Sequence, residues 1–166
     1  MPLEPDPRWA NFIGGITPSG LVRPLSLESL QDIAADLAGL VDGVDSCGST
    51  ELLETARWLL VTSWFHYELL AVAALVGYQA VEAVFRERVY PDARVSEPFR
   101  ALIKRAERDG VVLEPYVGIL DAGVELRNRL SHPGGQAAFT LAMVKPMLET
   151  SHLFVRDLSA GTVVSE

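Results

Sequence analysis

At 166 residues the chain fits one domain, long enough to bury a sizeable core without covalent staples. An apolar share of 49% excludes a disordered chain, and a single cysteine, Cys47, excludes an intrachain disulfide. The net charge of −8 argues against the strongly basic stripe of a dedicated nucleic-acid binder. Cys47 is expected to be a buried small hydrophobe or an idle thiol in a reducing compartment. The opening Met1-Pro-Leu-Glu-Pro-Asp-Pro has neither a basic stretch nor an apolar core. A cytoplasmic location without a secretion signal is the expectation.

In chain order, Pro2, Pro5, Pro7, Gly14, Gly15, Pro18, Gly20 and Pro24 make residues 1–25 read as an irregular N-terminal arm. Trp9, Phe12 and Ile13 are the side chains expected to tack it onto the body. Ser26 is a helix N-cap, after which Leu27, Leu30, Ile33, Leu37, Leu40 and Val41 recur at helical spacing. A loop follows from Asp42, and Thr50 is expected to cap a second helical region that reaches Val89, with a bend near Thr62 to His66. Within that region Leu69 to Phe85 is almost free of charge. It is shorter than the ~18–20 apolar residues of a spanning helix and carries Gln79 and Glu82, so a buried core helix is expected and no membrane.

Tyr90-Pro91-Asp92 ends this region, and Ser96-Glu97-Pro98 opens a helix from Phe99 to Arg108, stopped by Asp109-Gly110. Leu113-Glu114-Pro115 opens another that runs toward Pro133, with His132 at or just beyond its end. After a turn at Gly134-Gly135, a last helix spans about Ala137 to Leu158, with the stripe Phe139, Met143, Met147 and Phe154 and a kink or break at Pro146. No convincing strand alternation, repeat or low-complexity tract is present. The fold class is therefore all-α: a bundle of about four to five helices over residues 26–160, with a tail at 161–166.

Charge is segregated. Seven acidic residues and no basic one lie between Glu28 and Glu54, while seven basic residues against four acidic lie between Arg86 and Arg108. Two readings stand: solvated helix faces, or a local basic surface for a polyanion.

The chemistry inventory holds no phosphate-binding Gly-rich loop, no C-x-x-C and no H-E-x-x-H. His66, His132 and His152 lack metal-ligand spacing, so no metal and no cofactor is expected, and His66 and His152 read as packing or surface histidines. What remains is Glu125-Leu126-Arg127-Asn128-Arg129-Leu130-Ser131-His132-Pro133. At ~100° per residue, Tyr116, Ile119, Gly123, Leu126 and Leu130 share one stripe, the expected core face. Asn128 and His132 lie opposite, with Val117, Asp121 and Val124, and with Leu120 and Arg127 at the edge. A second layer of the same bundle or a partner subunit would cover that face. A cation, an amide and an imidazole converging at a helix end can act on a phosphodiester. In the plainer reading Arg127 pairs with Glu82, Asp121 or Glu125, and His132-Pro133 only terminates the helix.

Three segments resemble the HEPN domain superfamily, helical bundles of prokaryotic toxins and defence proteins. They are Tyr78-Gln-Ala-Val-Glu-Ala-Val-Phe-Arg-Glu-Arg, Phe99-Arg-Ala-Leu-Ile-Lys-Arg-Ala-Glu-Arg-Asp-Gly-Val-Val, and Leu126-Arg-Asn-Arg-Leu-Ser-His-Pro. The last looks like the family's motif of arginine, four to six residues, then histidine, with asparagine directly after the arginine. The resemblance covers about residues 65 to 135. It implies a metal-independent endoribonuclease of a toxin or antiviral-defence system, with a composite cleft at a two-fold homodimer interface.

In that frame Arg127 binds the scissile phosphate, His132 moves the proton, and Asn128 positions one or both. Arg129 and Ser131 in the motif, with Arg86 and Arg105 from the basic stretch, complete the expected RNA-contacting set. The products would be a 2′,3′-cyclic phosphate and a 5′-hydroxyl. An antitoxin or defence-system protein is the expected partner besides RNA. The chain departs from HEPN toxins paired with nucleotidyltransferase antitoxins, which carry a tyrosine two residues after the histidine; here Gly134 stands there. The alternative from another class is a non-catalytic module that binds RNA, a nucleotide or a protein partner.

Overall fold

The computed structural model describes residues 4–16, 20–112, 114–130 and 139–161, with only the backbone of Gly15, Ile16, Glu114, Pro115, Arg129 and Leu130. Six α-helices lie among them: α1 (Leu27–Gly39), α2 (Gly48–Thr62), α3 (Leu69–Val84), α4 (Phe99–Arg108), α5 (Glu114–Leu130) and α6 (Leu141–Ser159). The expected helical character holds, with one more helix than the upper expectation. The difference lies at Ser63–Glu68, where the expected bend is a complete turn that makes α2 and α3 a packed hairpin.

That turn is fixed from outside its own helices. The Trp9 indole N–H donates to the Ser63 carbonyl at 2.7 Å, and the Asp6 N–H donates to the Trp64 carbonyl at 2.8 Å. The Tyr67 N–H in turn donates to the Asp6 carboxylate at 3.2 Å. Backbone groups that a continuous helix would have used internally are thus satisfied by the arm. Arg8 grips the same carboxylate through Nε at 2.9 Å and Nη2 at 2.7 Å, which holds the Asp6 carboxyl below the usual carboxylate range. Trp9 is buried among Phe12, Trp64 and Tyr67, so the arm's attachment through Trp9 and Phe12 is as expected.

Two features of the arm correct the sequence reading. Residues Pro7–Asn11 form a 3₁₀ turn, and β1 (Ile13–Ile16) pairs antiparallel with β2 (Val22–Pro24), so the arm is not irregular. Ile13 is 65% exposed and contributes little to tacking; Leu21 and Val22 are exposed as well. With Ile13, Val22, Arg23 and Pro24 all exposed, no apolar alternation marks this hairpin in the sequence. Glycine is needed at Gly14, where a Cβ would approach the Pro24 carbonyl oxygen to 2.7 Å.

α3 is the centre of the bundle and packs on α2, α5 and α6. Leu70, Ala73, Ala74, Gly77, Ala80, Val81 and Val84 are all buried. The small residues let neighbouring helices approach closely; a Cβ on Gly77 would come within 3.1 Å of Leu148 and Ser151 on α6. Each fully buried leucine contributes roughly 1.5–3 kcal/mol. With the π-helical segment Phe85–Val89 that continues it, this helix is long and apolar enough to cross a membrane by length and composition, but half of that window is buried inside the bundle. It serves as the expected core helix.

Ser26 caps α1 as expected, its hydroxyl accepting from the Ser29 N–H at 3.2 Å. Thr50 is not the cap of α2: Cys47 holds that position, and its N–H donates to Thr50 Oγ1 at 2.9 Å. α4 has the predicted bounds, with Gly110 in the left-handed region (φ +72) just beyond. α6 runs uninterrupted through Pro146, so no break occurs there. Ala142 and Pro146 are both exposed, which leaves the lost helical hydrogen bond accessible to water. Of the expected stripe Phe139 and Phe154 are buried, while Met143 is 49% exposed; the buried residues of α6 are Val144, Leu148, Ser151, His152, Phe154, Val155 and Leu158.

Of the two histidines read as packing or surface residues, His152 is buried in the core and His66 is exposed. The His152 Nδ1–H donates to the Leu148 carbonyl at 2.7 Å, and its Nε2 accepts from Arg57 Nη1 at 3.1 Å. Burial lowers its pKa from 6.5 to about 4. An unfolded chain takes up a proton near 6.5 that the folded chain refuses until about 4. Stability should therefore be full above pH 6.5 and fall as the pH drops toward 4, by up to about 3 kcal/mol. Urea titrations across that window should show the slope in wild type and a shallower one in His152→Gln; equal slopes would contradict the assignment.

Candidate functional site at the end of α5

α5 is held by contacts on several sides. Leu120 is fully buried with Val117 and Val124 against the core shared with α4, while Leu126 packs with Tyr78 in the second core. Tyr116 meets Phe154 edge-on at 5.8 Å. Arg100 on α4 pairs with Asp121 at 3.1 Å. This corrects the expected core stripe: Leu120 belongs to the core and Ile119, 37% exposed, lies at its margin. Both apolar faces of α5 are used within one chain, so its composition alone does not call for a second subunit.

The tightest contact is at Gly123. A Cβ there would lie 2.3 Å from the Tyr78 ring, so only glycine lets α5 come this close to α3. One turn further along both helices, Arg127 Nη1 donates to Glu82 Oε2 at 2.8 Å. The other oxygen of Glu82 accepts from Arg86 Nε at 3.2 Å and Nη2 at 2.8 Å. Of the three carboxylates considered for Arg127, Glu82 is a partner, while Asp121 serves Arg100. Two guanidiniums thus share one carboxylate, with Arg127 half exposed (48%) and Asn128 exposed beside it.

The remaining expected site residues divide clearly. Arg86 joins Arg127 through Glu82 and also donates to the carbonyls of Arg94 (3.1 Å) and Glu97 (2.7 Å), so it pins the α3–α4 connection. Arg105 stands in a different network. It lies over the Tyr90 ring at 4.1 Å and pairs with Asp92 at 3.4 Å and Asp109 at 3.8 Å. Burial and the neighbouring Asp109 push the Tyr90 phenol up to about 12. The side chain of Arg129, and Ser131 and His132 altogether, lie outside the described residues. Among the described residues, no group of three or more His, Cys, Asp or Glu is placed to hold a metal ion.

The space beside Arg127 is a cavity of ≈ 10 Å³ between Tyr78, Glu82 and Gly123, room for about one water. A ligand of Arg127 therefore lies on the surface. Chemically the cluster offers forked donors to an anion, oriented by a carboxylate behind them. Sequence reasoning missed the Gly123–Tyr78 contact that sets this geometry. Its only signal was a glycine in a helix interior, a costly choice without a packing reason.

Two experiments follow. Gly123→Ala gains helix propensity of about 1 kcal/mol but overpacks Tyr78, for a net loss of about 1–2 kcal/mol, whereas Gly118→Ala, with open space around it, should gain up to about 1 kcal/mol. Equal effects in thermal melts would contradict the close approach. A double-mutant cycle of Glu82→Gln and Arg127→Gln should give a coupling of about 0.5–1 kcal/mol, and no coupling would mean that the pair is not maintained in solution. Comparison with protein-family models, curated proteins and solved structures finds no match to this chain.

Proposed function

We propose that the protein is a HEPN-like, metal-independent endoribonuclease of a toxin or antiviral-defence system, acting at a composite site between two protomers. The observation that carries this reading is the Arg86–Glu82–Arg127 cluster, which presents Arg127 and Asn128 on the surface near the end of α5. His132 follows two residues beyond Leu130, the last residue of that helix.

In this mechanism Arg127 donates to a non-bridging phosphate oxygen and stabilises the charge that develops on it. Glu82 orients the guanidinium, and Asn128 positions the phosphate or the imidazole. His132 takes the proton of the ribose 2′-hydroxyl, whose oxygen attacks phosphorus. The P–O5′ bond breaks, and the leaving oxygen takes a proton from the second protomer's imidazolium or from water. The products are a 2′,3′-cyclic phosphate and a 5′-hydroxyl. Surface presentation of Arg127, without an enclosing pocket, agrees with a cleft completed by a second protomer.

The second reading, a non-catalytic module that binds RNA, a nucleotide or a protein, is favoured by one observation. Arg127 and Arg86 are already neutralised in part by Glu82.

Wild type, Arg127→Ala and His132→Ala should be incubated with total RNA in EDTA and the fragment ends read. The expected result is cyclic-phosphate ends from wild type and a loss of roughly 10²–10³-fold or more in each folded variant. Absence of cleavage by wild type, or equal cleavage by all three, would overturn the catalytic reading.

A further inference from the structure

A groove lies between α1 and α2, far along the sequence from α5. It has a volume of ≈ 310 Å³, with Ala34, Ala35 and Val61 among its lining residues and Gln31 and Trp58 beside them. Trp58 is 66% exposed, although tryptophan on a helix normally buries its indole. Alanines on one wall and an uncovered indole on the other leave a trough between two helices that a third helix can enter. Val61 is only half buried there.

The rim of the trough is mainly acidic. Glu54 lines it, and Glu28 on α1 and Glu51 on α2 continue the helical stripes of its lining residues; all three are exposed. Among the described residues none of these three forms an ion pair within 4 Å, in contrast to the paired carboxylates of Glu82, Asp109 and Asp121. Arg57, the cation among the lining residues, is partly buried, feels the charge of Glu54 and donates to His152 beneath it. Glu51 and Glu54, three residues apart on α2, repel one another, a cost that an incoming cation relieves.

We propose that the α1–α2 groove is a docking surface for a cationic amphipathic helix of a partner protein. The apolar stripe of that helix would cover Trp58, Ala35 and Val61, and its lysines or arginines would face Glu28, Glu51 and Glu54. Trp58 is the central contact, because a large aromatic side chain that loses its water dominates small interfaces. The carboxylates set orientation and on-rate. The same charges repel RNA, which places this face apart from the nucleic-acid chemistry proposed at α5. The inference rests on the groove and its charges, and does not require the ribonuclease reading.

The probe is a fluorescein-labelled peptide of about 18 residues, leucine and lysine arranged as an amphipathic helix, long enough to fold on contact. A peptide of the same composition with the leucine stripe scrambled, and one with glutamate for lysine, serve as controls. Anisotropy titrations of the full chain should show saturable binding of the amphipathic lysine peptide. Affinity should fall roughly tenfold or more for Trp58→Ala and for Ala35→Gln, and roughly tenfold on raising salt from about 50 to about 500 mM. Both substituted residues are exposed, and matching circular dichroism melts confirm that the variants fold.

Trp58 emission should shift to the blue on binding, a change absent in Trp58→Phe. Equal affinity for the scrambled peptide, or unchanged affinity of both variants, would reduce the binding to diffuse charge attraction and overturn the proposal. So would no binding at all. Sedimentation of the free protein as a dimer that Trp58→Ala dissociates would assign the groove to a second copy instead. Preferential binding of the glutamate peptide, or of an RNA oligonucleotide lost in Trp58→Ala, would assign it to an anionic partner.

Discussion

The contact between the Tyr78 ring and the bare Cα of Gly123 decides where α5 sits, and much of the molecule's surface chemistry follows from it. With α5 drawn onto α3, Arg127 comes within reach of Glu82, and Glu82 already holds Arg86 one turn further along its own helix. Arg86 in turn reaches two carbonyls of the α3–α4 connection. One close approach between helices thus organises a carboxylate, two guanidiniums and a loop. A side chain at position 123 would separate the helices by the width of a methyl group, more than a salt bridge of 2.8 Å can absorb.

The central helix makes that approach possible. α3 carries alanine and glycine where α2 and α6 cross it, so it can be surrounded on several sides without leaving voids. The arm closes the opposite end, where Asp6 and Trp9 satisfy backbone groups at the α2–α3 turn and Tyr67 donates to the Phe139 carbonyl at 2.8 Å. The two cores differ accordingly. One joins α2, α3, α4, α5 and α6 around Phe85 and Leu102; the other joins the arm, α1, α2 and α3 around Trp9 and Leu70, with Leu126 and Leu148 completing it. α5 contributes to both, which is why its sequence is apolar on two sides.

Helix positions were legible because their signals are local. Ser26, Pro98, Gly110 and the 3.6-residue spacing of leucines each act within one or two turns. The long apolar run from Leu69 correctly marked the core helix. The hairpin of the arm was not legible, because Ile13, Leu21 and Val22 bury no common face. The turn at Ser63 was underestimated, since it is stabilised by residues more than fifty positions earlier. The Arg127–Glu82 pair was among the arrangements foreseen, but Leu120 and Ile119 were exchanged between core and margin. A helix with apolar residues on two faces does not by itself say which face meets which neighbour. Arg105 was grouped with Arg86 on sequence proximity, whereas the fold gives it Tyr90, Asp92 and Asp109 as partners.

Binding of an RNA phosphate at the end of α5, as proposed, can be tested apart from turnover. The direct measurement is a titration of the isotopically labelled protein with an oligonucleotide in which 2′-deoxy nucleotides prevent cleavage, following arginine Nε–H and histidine ring resonances by NMR. Saturable shifts of Arg127 and His132 are expected, with a smaller shift of Arg86 through the Glu82 carboxylate it shares with Arg127, and none at Arg57. Shifts confined to Arg100, Arg105 or Arg108, or no shift at saturating oligonucleotide, would contradict the proposed binding.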